Sequence, residues 1–346
     1  MLRAVWCPYE LRFRFLARTS RESMRVKQTY FVKITDDDNP EVAGIGECAL
    51  FKGLSADDVP EYEQALSEAC KNVDGQNSAM SSIRFGFETA LLDLAKGGRY
   101  ATADNCWTRG EKPIAINGLI WMGNKAEMSH RIAEKLEQGF KVLKLKIGGI
   151  NFEDEVDLLR TIRHNFGSES LELRLDANGS FNADNATKRL ERLAAFGIHS
   201  IEQPVAARQH ELMARLCADS PIKIALDEEL IGMTTQDEKD CLLKAIRPAY
   251  IILKPSLCGG FAEADRWIDA ADRLGIGWWA TSALESDIGL NAIAEWVSQK
   301  DITIPQGLGT GALYENNITS PLETSEARLH YRPGREWIIP QLPWRQ

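Results

Sequence analysis

No stretch of this chain approaches the ~20 consecutive apolar residues a membrane helix requires, so no membrane insertion is expected. Runs of Lys and Arg are missing too, and the 346 residues carry a net charge of −9, which argues against nucleic acid as a partner. The start of the chain mixes Arg3, Glu10, Arg12 and Arg14 with its apolar residues, unlike a secretory leader. The seven cysteines are odd in number, scattered and without a C-x-x-C pair, which fits reduced thiols in a cytoplasm. The five histidines also lie apart, with no H-E-x-x-H, and His130, His164 and His210 fall in polar helical stretches. No G-x-G-x-x-G follows the first strand, which counts against an open dinucleotide-binding sheet.

What is present suits a globular α/β chain long enough for a large barrel and a smaller domain, with 44% hydrophobic and 26% charged residues. Its composition says nothing about oligomeric state. Strand-like runs cover 4–16, 28–35 and 41–48, separated by a polar loop over 17–27. A second loop, 50–55, carries Ser55 as the expected N-cap of a helix over 56–71, and another helix is predicted over 78–96. Together these make an α+β unit of about a hundred residues.

From about residue 112 strands alternate with amphipathic helices. The strands fall near 114–119, 142–147, 171–176, 200–202, 222–227, 250–254, 277–282 and 302–306, which predicts a closed (β/α) barrel. The tail 322–346, with Trp337, Trp344 and three prolines, lacks a long period and is expected to pack on the first domain.

One strand organises the chemistry. In 142–149 the side chains alternate, so Lys144 and Lys146 share one face while Leu143, Leu145 and Ile147 fill the other. A barrel places its active site at the C-terminal strand ends. There stand Lys144 and Lys146, Asp176, Glu202, Asp227 and Lys254 on successive strands. Any one acid alone reads as a solvated strand end or a helix cap. Three in inward phase on adjacent strands read as an oxygen-only nest for a hard cation, Mg²⁺ or Mn²⁺. Strands two and six lie four apart in a ring of eight, so Lys146 and Lys254 should face each other across the mouth. Burial, the neighbouring Lys144 and the cation lower a lysine pKa, and the acids oppose them. That set suits removal of a proton α to the carboxylate of a small substrate.

The order K-x-K (Lys144, Lys146), D-A-N (Asp176 to Asn178), E-Q-P (Glu202 to Pro204), D-E (Asp227, Glu228) and K-P (Lys254, Pro255) resembles the enolase superfamily, in its muconate-lactonising-type subgroup. The resemblance implies an N-terminal α+β capping domain over 1–110, a (β/α)7β TIM-like barrel over 111–321, and a C-terminal segment over 322–346 returning to the cap. Within the subgroup, Thr281 to Ser286 with Gly289-Leu290, and Gly307 to Gly311, are similar to the dehydratase branch of menaquinone biosynthesis. By that resemblance Lys146 takes the α-proton and assists departure of hydroxide from the same face. Lys254 stabilises the enediolate as a cation over its π-system, and Lys144 holds the carboxylate and tunes its neighbour. Ser282 and the backbone near Gly309 would grip the substrate tail, with Phe51 and Leu54 as apolar cover. Arg18, Arg21 or Arg25 would offer a carboxylate contact, although each arginine alone reads as a solvated surface residue.

Racemases and dipeptide epimerases of the same superfamily share the lysines and acids. The epimerases carry Asp-x-Asp at the eighth strand, where this chain has Gly307-Leu308-Gly309-Thr310, so racemisation stays open and epimerisation is disfavoured. A Schiff-base lyase would not need three clustered acids, and a non-catalytic metal-binding barrel would not need opposed lysines.

Overall fold

The computed structural model describes residues 1–18, 23–73 and 78–346. The chain opens with three antiparallel strands, β1 (Leu2–Arg18), β2 (Ser23–Asp36) and β3 (Asn39–Cys48), in the order β1-β2-β3. The helices α1 (Tyr62–Asn72) and α2 (Ser81–Ala95) follow. Residues 29–32 of β2 are buried on both faces. Tyr30, Val32 and Ile34 point into the cluster formed with Leu66, Ile83 and Phe87 of the helices. Phe31, on the opposite face, packs with Ile288 and Ile318 from beyond the cap. The sheet is therefore sandwiched between its own helices and the rest of the chain. Helix α2 lies so close on β3 that a Cβ at Gly46 would stand 1.9 Å from the Gly86 carbonyl oxygen, so only glycine fits there.

Two local expectations fail in this region. The polar loop over 17–27 is mostly strand, because β1 and β2 extend by pairing Ala17 with Met24 and Arg18 with Ser23. Arg18 and Arg25 are exposed on these strands, whereas Arg21 lies outside the described residues. Ser55 does not cap a helix. Its Oγ accepts from the Phe51 N–H at 2.9 Å, closing a turn, and α1 begins only after Pro60. The buried Asp57 carboxylate instead caps α2, accepting from the N–H groups of Ser81 at 3.1 Å and Ser82 at 2.7 Å.

The predicted strand over 114–119 is split. Its first part, β4 (Ile114–Ala115), pairs outside the barrel, and β5 (Gly118–Ile120) is the first barrel strand. After α3 (Lys125–Glu137) come β6 (Val142–Lys146), α4 (Phe152–Asn165), β7 (Glu172–Asp176), α5 (Ala186–Ala194) and β8 (Ser200–Glu202). The alternation continues with α6 (His210–Asp219), β9 (Lys223–Leu226), α7 (Gln236–Ile246), β10 (Tyr250–Leu253), α8 (Pro255–Cys258), α9 (Phe261–Asp272), β11 (Gly277–Ala280) and α10 (Asp287–Ser298). Strands β5 to β11 form one parallel sheet in chain order. The predicted eighth strand shrinks to two parallel bridges, Thr281 with Gly307 and Ile116 with Gln306, and these close the ring. The architecture is a TIM-like barrel carrying an N-terminal α+β cap. Leu143, Leu145 and Ile147 join the main core between strands and helices, as alternation requires, leaving Lys144 and Lys146 inside the ring.

The tail forms a hairpin, β12 (Leu322–Ser325) with β13 (Arg328–Tyr331), whose second strand pairs with β4. Its last residues reach the cap, where Arg345 bridges Trp6 and the Lys33 ammonium sits 4.7 Å from the Trp344 ring centre. Among the described residues no helix is long and apolar enough to cross a membrane.

Candidate active site

Parallel register sets the site. Lys146 pairs with Asp176 across β6 and β7, Asp176 with Glu202 across β7 and β8, and Glu202 with Ala225 on β9, two residues before Asp227. Asp176 and Glu202 therefore stand side by side at one level, Asp227 follows two residues further on just past the end of β9, and all three are buried on the inner face. Lys254 follows β10 and begins α8 as its N-cap.

The ammonium of Lys144 lies 2.9 Å from Asp176 Oδ2 and 2.7 Å from Glu202 Oε2. Lys146 donates to Asp176 Oδ2 at 2.8 Å and to Asn178 Oδ1 at 2.9 Å, and Lys254 donates to Asp227 Oδ2. Burial alone would lower the lysine pKa values. At Lys144 the charges of Asp176 and Glu202 outweigh burial and raise it, and at Lys254 Asp227 does the same. The sequence sets burial and a cation against the acids without deciding between them, and at Lys144 and Lys254 the acids win, because contact ion pairs outweigh desolvation. Burial would likewise raise the acids, yet Lys144 and Lys146 hold Asp176 well below the usual range, and Lys254 holds Asp227 low. Glu202 goes the other way, since burial and the charges of Asp176 and Asp227 push it well up despite Lys144.

Three carboxylates repelling one another at a barrel mouth form a set that wants positive charge. As they stand they are engaged by ammonium groups, and no ready metal nest exists among the described residues. The ammonium of Lys144 sits between Asp176 and Glu202 and offsets part of their charge. An all-oxygen, acid-rich set of this kind fits a hard divalent cation.

The surrounding backbone is specialised. Asn178 and Gln203, each just past an acidic strand end, adopt left-handed φ values of 45° and 40°. Gln203 Oε1 accepts from the N–H of Asp227 at 3.2 Å, and its Nε2 donates to Glu229 at 3.1 Å, so the side chain fixes the Asp227 turn against β8.

A cavity of about 310 Å³ opens above these groups. Lys144, Lys146 and Lys254 line it, as do Phe51, Leu54, Ser282 and Gly309, so every cavity-lining residue anticipated from sequence is brought together. Arg18 and Arg25 do not line it. The cavity is also lined by Asn117, Leu119, Trp121, Asn178, Thr281, Leu284 and Thr310, to which the sequence pattern assigns no substrate role. Leu119 lies on the first barrel strand and Asn117 and Trp121 flank it in the same alternating phase, so inspection of that strand end would have found them too. Ser282 donates its hydroxyl to Glu285 and accepts from the Leu284 N–H at 2.9 Å.

Comparisons with known proteins agree with this geometry. The family described as Enolase C-terminal domain-like matches residues 127–334, more than half of the chain. A relative named o-succinylbenzoate synthase, from Desulfotalea psychrophila, is 44% identical over 90% of this chain and 94% of its own length. The crystal structure of MenC from the same organism superposes with a TM-score of 0.80 at 41% identity, covering 95% of this chain and 99% of that one. An N-succinylamino acid racemase from an Amycolatopsis species is 29% identical over 74% of this chain and 68% of its own.

Proposed function

The chain belongs to the enolase superfamily, and from that premise we propose that it is an o-succinylbenzoate synthase acting in menaquinone biosynthesis. The reaction is loss of water from 2-succinyl-6-hydroxy-2,4-cyclohexadiene-1-carboxylate to give o-succinylbenzoate. The observation that carries the reading is the placing of Asp176, Glu202 and Asp227 at three successive strand ends beside a cavity lined by Lys146 and Lys254, on a chain this similar to a named synthase.

Mg²⁺, or Mn²⁺, held by Asp176, Glu202 and Asp227 would supply positive charge to the substrate carboxylate and acidify its α-proton. Lys146, as the free amine, takes that proton from the ring carbon bearing the carboxylate. The electron pair left behind is delocalised into the carboxylate as an enediolate, and Lys254 stabilises it as a cation on the opposite side. The ammonium of Lys146 then returns its proton to the departing hydroxyl on the same face, so water leaves and the ring becomes aromatic. Asn178 Oδ1, a neutral acceptor 2.9 Å from Lys146 Nζ, holds the amine in place when Asp176 is otherwise committed. Lys144 screens the repulsion between Asp176 and Glu202, holds the substrate carboxylate and tunes its neighbour Lys146. Phe51 and Leu54, from the loop after β3, cover the substrate, and Ser282 with the backbone at Gly309 faces its succinyl tail. The seven thiols are free, which suits a cytoplasmic enzyme.

The test is ultraviolet-monitored turnover with Mg²⁺ and with EDTA, run beside an N-succinylamino acid racemisation assay. Metal-dependent aromatisation is the expected result. Racemisation without aromatisation would replace the dehydratase reading with the racemase one, which the Amycolatopsis relative and the two lysines on one cavity favour as the alternative.

A further inference from the structure

The seam between cap and barrel buries a second set of charges that the chemistry above does not use. Lys27 on β2, Glu47 on β3 and Glu285 after β11 are 4%, 0% and 0% exposed. Glu47 is fully provided for. It accepts from Thr29 Oγ1 at 2.7 Å, from Ser286 N–H and Oγ at 3.0 and 2.6 Å, and from Gly289 N–H at 3.1 Å, which docks this cap residue onto the N-terminus of α10. Glu285 has less. One oxygen accepts from Ser256 Oγ and the other from Ser282 Oγ, and no backbone N–H serves it among the described residues. The Lys27 ammonium reaches into the same seam without a hydrogen-bond partner there. Burial lowers its pKa while Glu47 and Glu285 raise it, and Lys27 is in turn the leading influence opposing the burial that raises Glu285.

The two serines make Glu285 more than a buried acid. Ser256 lies two residues after Lys254 in α8, and Ser282 forms part of the cavity wall. We infer that Glu285 is a positioning residue that holds the Lys254 turn and the Ser282 wall in one geometry, with its charge balanced by Lys27 so that seating of the cap completes the site. The chemical logic is asymmetric. A carboxylate binds both serine hydroxyls as an acceptor, but burying it requires a cation, and Lys27, the buried cation whose charge acts on Glu285, comes from the cap. A cap that is unseated leaves Glu285 uncompensated and loosens the link between the two loops.

This inference rests on the proposed reaction, so the wild-type assay comes first: no turnover at all defeats that reading, whereas turnover that ignores the seam defeats this one. Lys27→Met should lower kcat roughly tenfold with KM less affected, since small misplacements of reacting groups cost that much or more. Glu285→Gln should do the same. The double variant Lys27→Met/Glu285→Gln should recover most of the lost kcat, because the buried charges are removed together while the amide still reaches both serines. Ser256→Ala, a mild change that spares the fold, should lower kcat several-fold without removing any charge. Circular dichroism and melting curves on each variant accompany the kinetics. A double variant no better than the product of the singles, or a folded Ser256→Ala with wild-type kcat, would overturn the assignment.

Discussion

The barrel buries charge at both of its ends, and the two ends differ in what surrounds it. At the floor Arg174 donates to Glu172 at 2.7 Å and to the Pro305 carbonyl at 2.8 Å, and its guanidinium lies 4.6 Å from the Trp279 ring centre. His199 stacks on Tyr250 beside it. One acid meets one guanidinium, aromatics close the space, and burial lowers the pKa values of Arg174 and His199. At the mouth three acids meet three ammonium groups around an open cavity, and Glu202 is pushed up by burial and by its fellow acids. Burial of charge is therefore not what marks a functional site. Like charges crowded beside a cavity, with repulsion left for something else to relieve, mark it.

That contrast can be broken most directly at the lysines. Lys146→Ala and Lys254→Ala should each reduce turnover by roughly 10²–10⁴-fold with the far-ultraviolet circular dichroism unchanged. Full activity in either would erase the distinction between the two ends. Next in size is the metal. Asp176→Asn, Glu202→Gln or Asp227→Asn should weaken Mg²⁺ binding, measured calorimetrically, by at least the roughly 10–100-fold that loss of an outer partner costs a metal site, and EDTA should stop the wild type.

The floor should answer in the opposite currency. Arg174→Met is expected to cost about 1–3 kcal/mol of stability, the range for a hydrogen-bonded charge, and to leave kcat/KM within about twofold of the wild type. A large kinetic loss with unchanged melting would show that the floor contributes to catalysis after all. The last test concerns a third kind of buried acid. Asp287 has donors but, among the described residues, no ion-pair partner, and burial pushes its carboxyl up to about 7, against the bonds from Ser320 and Asn317. Its folded form keeps a proton that the unfolded form loses near pH ~4. The fold therefore binds more protons across that window, and stability should fall as pH rises from about 4 to about 7 by up to roughly 1.4 kcal/mol per unit. Melting temperatures from pH 5 to 8 should slope less steeply in Asp287→Asn, and an unchanged slope would assign the pH dependence elsewhere.

Much of the mouth was legible beforehand because it depends on local rules. Period-two alternation put Lys144 and Lys146 on one face, and the strand-end rule located Asp176, Glu202, Asp227 and Lys254 from apolar runs alone. Legibility stopped where partners compete for one atom. Ser55 has the residue type of a helix cap, but its hydroxyl closes a turn with Phe51 and α1 starts without a side-chain cap, while Asp57 caps the next helix, α2, from 24 residues away. The hairpin of β1 and β2 overran its expected polar loop because cross-strand pairing, not composition, sets strand length.

The sequence by itself determined the barrel, the cap and the set of acids and lysines at the strand ends, since these follow from the periodicity and order of neighbouring residues. Tertiary structure alone decided the balance of charges. The direction of the Lys144 and Lys254 pKa values depends on ion-pair distances across strands, and the junction of Glu47 with Ser286 joins residues 239 apart in the chain. Such contacts exist only once cap and barrel dock, and no local pattern encodes which buried groups then face each other.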